Sequence, residues 1–132
     1  MFTRKNNKLE AMIGPNSEFR GDITTQGTFR IDGVFSGNIT ADWVILGESG
    51  SINGDITARS VIIGGKVEGN VKAEELVEIK RMGQLTGDIT TRKLSVAEGG
   101  IFEGRSLVQK DESKVVDFPG KEALNKQAGK EL

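Results

Sequence analysis

The chain has 132 residues, 28% of them charged, with a formal net charge of -1, so it is one domain plus tails at most. That balance points to neither nucleic acid nor an anionic membrane as a bulk partner. Cysteine, histidine and tyrosine are all absent, which excludes disulfides, thiolate metal sites, cysteine nucleophiles and the usual general base near neutral pH.

Residues 1–12 carry no apolar periodicity and read as a flexible arm. Met1 and Phe2 are followed by Arg4, Lys5 and Lys8, an apolar tip with three cations. This is the composition of a weak contact with anionic headgroups, where each cation contributes about 1 kcal/mol. The start lacks the apolar run of a signal peptide, and no stretch of about 18 apolar residues occurs anywhere, so a cytoplasmic location is expected.

From residue 13 to 108 one phrase returns. Gly21-Asp22-Ile23-Thr24 comes back as Gly37-Asn38-Ile39-Thr40, Gly54-Asp55-Ile56-Thr57, Gly69-Asn70-Val71-Lys72 and Gly87-Asp88-Ile89-Thr90, then decays to Gly104-Arg105-Ser106-Leu107. A period of about 17 residues held through five intervals is the signature of a repeat architecture. Aligned on these glycines, apolar residues fall into columns. Two positions before stand Phe19, Phe35, Ile52, Val67, Leu85 and Phe102; two after stand Ile23, Ile39, Ile56, Val71 and Ile89. A double column follows, with Phe29 and Ile31, Val44 and Leu46, Val61 and Ile63, Val77 and Ile79, Leu94 and Val96. Within each run the apolar residues alternate, which means strand, and the side chains are the strand-favouring set.

Each period therefore holds three short strands separated by glycine-bearing bends, one turn of a three-sided parallel β-helix. About six such coils, stacked at the strand spacing, make a rod roughly 30 Å long. A single coil buries too little apolar surface to offset the entropy of ordering its backbone, so the coils fold only as a stack. The outward row Asp22, Asn38, Asp55, Asn70, Asp88, Arg105 alternates carboxylate with amide, halving the charge density of a ladder in which adjacent carboxylates would repel by about 1 kcal/mol. A calcium site needs six to eight converging oxygens, which a row one residue wide does not supply. Gly64-Gly65 and Gly99-Gly100 read as tight bends, because neither precedes the helix that a phosphate loop requires. Trp43 is out of register with the interior columns and reads as a half-exposed side chain covering a corner. Residues 109–132 leave the repeat, break at Pro119 and Gly120, and read as a disordered polar tail whose one apolar cluster is Val115, Val116 and Phe118.

No catalytic, cofactor or metal constellation emerges, and the expectation is a protein that is not an enzyme. A solenoid closes its sides and leaves each end with an open core, which soluble repeat proteins blunt with polar caps. Here the first coil offers Ile13 and Phe19, the last offers Ile101 and Phe102, and the repeat decays at Arg105. End-to-end self-association is therefore expected, and if both ends associate the product is a filament.

The repeated GDIT, GNIT and GNVK phrases, the stretch Val61 to Val71, and the short arms on both sides resemble the bactofilins, a family of bacterial polymer-forming cytoskeletal proteins. The resemblance covers residues 13 to 108. It implies a right-handed coil and nucleotide-independent, non-polar filaments joined head to head and tail to tail. It also implies an aromatic in the last coil at the contact, the position of Phe102, and an N-terminal reach to the inner membrane that matches Met1, Phe2, Arg4, Lys5 and Lys8. Partners so implied are the chain itself and client proteins of cell shape or the envelope, with no nucleotide or nucleic acid. An acyltransferase-like enzyme on a left-handed hexapeptide β-helix is the alternative, and the drifting period and missing histidine oppose it. Surface binding by Thr24, Thr40, Thr57 and Thr90 is opposed by Lys72 in the middle of that row.

Overall fold

A computed structural model describes residues 9–109 and the strand at 113–118, with side chains from 9 to 108. The first coil is β1 (Leu9–Ile13), β2 (Glu18–Arg20) and β3 (Ile23–Thr24), and the second is β4 (Thr28–Ile31), β5 (Val34–Ser36) and β6 (Ile39–Thr40). The third comprises β7 (Trp43–Leu46), β8 (Ser51–Asn53) and the start of β9 (Ile56–Ile63); the fourth continues through β9, β10 (Lys66–Glu68) and the start of β11 (Val71–Ile79). The fifth uses the rest of β11 and β12 (Gln84–Thr91), and the sixth is β13 (Leu94–Val96) with β14 (Ile101–Gln109). All pairings between coils are parallel, giving an all-β, three-sided parallel solenoid of about six turns. β9, β11, β12 and β14 each run round a corner without a break.

The register places the apolar columns as ladders inside the tube. Phe19, Phe35, Ile52, Val67, Leu85 and Phe102 pair in succession, as do Ile31, Leu46, Ile63, Ile79 and Val96. Phe19 stacks on Phe35 at 5.2 Å, and Phe29 meets Phe35 edge-on at 5.8 Å, the two arrangements that aromatic quadrupoles favour. At one corner the interior is lined by Ala41, Ala58, Ala73 and Thr91, all buried. The chain turns there, and only small side chains fit.

Glycine begins each repeat because of how the coils touch. Gly54 has φ +146°, and a Cβ built on it would run into the carbonyl oxygen of Gly37 one coil earlier. Gly37, Gly69, Gly87 and Gly104 meet the same obstacle from the glycine before them. The aspartates that follow also have a backbone partner: the Asp22 carboxylate accepts the N–H of Asn38, and Asp55 that of Asn70, each at 3.2 Å. The Asp/Asn alternation thus stitches coils together besides diluting charge. Where a bend is two residues longer it closes a hydrogen-bonded turn, as in Gly50 N–H to Gly47 C=O at 2.9 Å and Gly100 N–H to Ala97 C=O at 2.8 Å.

Three features depart from expectation. The first strand starts at Leu9, inside the segment read as an arm. Secondly, β15 (Ser113–Phe118), inside the expected tail, folds back antiparallel on β14, pairing Gly104 with Phe118 through Gln109 with Ser113. It uses the one apolar cluster that the tail possesses. Thirdly, Ser106 occupies the isoleucine position of the last coil, fully buried, and its hydroxyl has no hydrogen-bond partner among the described residues.

Candidate assembly interface

Burial falls off at the ends of several columns. Val44, Val61 and Val77 are each 0% exposed, yet Leu94, next in that column, is half-buried. Val96 is likewise half-buried above a fully covered Ile79. At the other end Phe19 and Ile23 are half-buried over Phe35 at 0% and Ile39 at 1%. The first coil is thus open at Phe19 and Ile23, and the last coil is open along β13, while Phe102 and Ser106 in the same coil are 0% exposed. Among the described residues β13 pairs only with β11, so its outer edge also presents backbone groups.

The residues expected at the ends divide. Phe19 is half-buried in the first coil; Ile101 is half-buried as well, but it pairs with Gln84 beside the inward Phe102 and so faces outward from the side of the rod. Ile13, at 8%, is covered, because the first coil begins earlier and β1 brings it inside. Phe102 is 0% exposed, with its side chain in the interior ladder next to Leu85, so the ring is not displayed on the terminal surface. Arg105 is exposed and lies in register between Asp88 and Asp117, within the sheet and not at its edge. Met1, Phe2, Arg4, Lys5 and Lys8 lie outside the described residues.

Ile23, Leu94 and Val96 were already interior columns in the sequence. What marks them as end residues is that, among the described residues, no further coil pairs beyond them: β3 pairs only with β6 and β13 only with β11. Trp43 is half-buried, as expected, in an outward column between Thr28 and Ser60. Beside it Arg59 donates to both oxygens of Asp42 at 3.0 and 2.8 Å, clasping successive coils. That hydrogen bond holds the guanidinium more firmly protonated than usual.

A parallel β-solenoid whose interior columns are half-buried in the first coil and along β13 belongs to a class of repeat structures suited to building polymers. The chain belongs to the bactofilin family, whose model, described as polymer-forming cytoskeletal, matches residues 11–107. It is 29% identical over 105 residues to bactofilin BacP of Myxococcus xanthus and 32% identical over 94 residues to BacO of the same organism. These alignments take in 79% and 70% of this chain, and the chain spans 44% of BacP and 75% of BacO. A cryo-EM reconstruction of Thermus thermophilus bactofilin double helical filaments is similar at a TM-score of 0.67 and 29% identity, covering 76% of this chain and all of that one.

Proposed function

We propose that the chain is a structural, non-catalytic subunit that polymerises through its two end faces, without nucleotide, into a non-polar filament. First coils meet first coils and last coils meet last coils. The carrying observation is the fall in burial at the column ends: the same columns that are dry at Val77 and Ile39 are half-exposed at Leu94 and Ile23. Joining the ends removes that apolar surface from water and continues the strand ladder. Phe19, Ile23, Leu94 and Val96 lie in the contacts, with Phe102 supporting the last coil from inside. The Thermus filament supports this reading. The filament lies at the inner face of the cell membrane, touched by Met1 and Phe2 with Arg4, Lys5 and Lys8, and organises client proteins of the envelope or of cell shape.

High-speed sedimentation tests both parts. The full chain is expected to pellet equally with and without ATP or GTP, and protein that stays in the supernatant until nucleotide is added contradicts the proposal. A chain lacking residues 1–8 is expected to pellet as before but to lose flotation with anionic liposomes. Equal flotation of the two forms removes the arm as the membrane contact.

A further inference from the structure

The three sides of the rod are chemically unequal. Two present mainly polar rows: Glu18 and Arg20, Lys66 and Glu68, Gln84 and Thr86 on one, broken by Val34 and Ile101 in well-separated coils, and the Asp/Asn and Thr rows on another. The third, built from β1, β4, β7, β9, β11 and β13, carries two outward columns. One reads Leu9, Thr28, Trp43, Ser60, Leu76, and the other Met12, Arg30, Ile45, Ile62, Glu78, Ser95. Leu9 and Met12 are 55% and 53% exposed, and Trp43, Ile45, Ile62 and Leu76 are half-buried, whereas Thr28 and Ser60, on either side of Trp43, are buried. Isoleucines on the outward side of consecutive coils do nothing for the core.

We infer that this side is a lateral interface, and that its occupant is a second copy of the chain lying antiparallel. The second column has the symmetry for it. Turned end for end about a two-fold axis between the third and fourth coils, it sets Ile45 on Ile62 of the second copy and Arg30 on Glu78 of the second copy. A parallel pairing in the same register sets Arg30 on Arg30 and Glu78 on Glu78. Arg30 is already held by Asp32, at 2.9 and 3.0 Å, and Glu78 lies 3.7 Å from Lys80. Their side chains nevertheless keep 41% and 34% of their surface exposed, so each has room for a partner across the interface.

The face measures roughly 29 by 13 Å, less than half of the about 800 Å² per partner of a standard interface. One pair of subunits is therefore held weakly. This inference rests on the end-to-end reading, because linking subunits into a filament repeats the face and converts weak contacts into a firm lateral bond.

The chain has no cysteine, so introduced thiols are unique. Arg30→Cys and Glu78→Cys proteins, polymerised separately or as a mixture, are treated with a bis-maleimide spanning the ~10 Å between stacked sheets. A cross-linked dimer is expected in the mixture alone, because in the antiparallel register like positions are about 14 Å further apart along the axis. Adding Ile62→Lys to both proteins is expected to remove that dimer and leave filaments visible by microscopy. A dimer from either protein alone, or filaments without a dimer in the mixture, overturns the antiparallel pairing while leaving end-to-end assembly intact. An absence of filaments in the unmodified chain overturns the end-to-end reading and this one with it.

Discussion

Gly54→Ala is expected to cost about 4 kcal/mol or more, a large part of the 5 to 15 kcal/mol that holds a domain together. Two effects add there. The φ of +146° is unsuited to a side chain, and the methyl group is aimed at the carbonyl of Gly37. That carbonyl cannot retreat, since Gly37 is itself fixed by its N–H bond to Asn53 C=O at 3.0 Å. Gly21→Ala separates the effects. Its φ is +133°, but among the described residues no coil lies above it, and the nearest atom to a new Cβ is in the Phe19 ring at 3.5 Å. Only backbone strain of about 1 to 3 kcal/mol is expected. Urea unfolding of the two variants in a background that does not assemble makes the comparison. Equal losses would mean that the stacked carbonyl contributes nothing.

Leu94→Arg is expected to leave a folded monomer. The position is half-buried only because the rod stops there, so an arginine in the isolated chain turns its guanidinium to water while its stem covers Val77. In an end-to-end contact the same charge is enclosed without a partner, at a cost of about 3 to 5 kcal/mol. That is at least a hundredfold loss of affinity. Phe102→Arg is a different experiment, since Phe102 is fully covered and the substitution damages the coil itself. Sedimentation velocity, with the far-ultraviolet spectrum as a check on folding, distinguishes the outcomes for Leu94→Arg. A folded variant that still assembles places the contact elsewhere.

The solenoid was legible because every coil restates the same local chemistry. At Gly37, Gly54, Gly69 and Gly87 a glycine that admits no Cβ is followed two residues on by a core isoleucine or valine, and four such statements outweigh any local ambiguity. Positions such as Phe35, Ile52, Val67 and Leu85 lie in one ladder, as their spacing predicts. The alanine corner was missed because Ala41, Ala58 and Ala73 carry little apolar signal and are selected by lack of room. The outward pair Ile45 and Ile62 was hidden inside the runs Val44 to Leu46 and Val61 to Ile63. There alternation identifies strand but not that both faces are apolar. The fold-back of β15 is a local hairpin, with Gln109 paired to Ser113, that lies outside the repeat, so the column alignment carries no signal for it. Phe102 is buried in the last coil, and Leu94 and Val96 are the half-buried ends of their columns.

That assembly proceeds through the ends is tested most directly by the direction of the strand spacing in aligned filaments. End-to-end stacking lays the coils perpendicular to the filament axis, so fibre diffraction is expected to give a reflection of about 4.8 Å on the meridian. The same reflection on the equator would mean that the rods associate side by side, and would contradict the account.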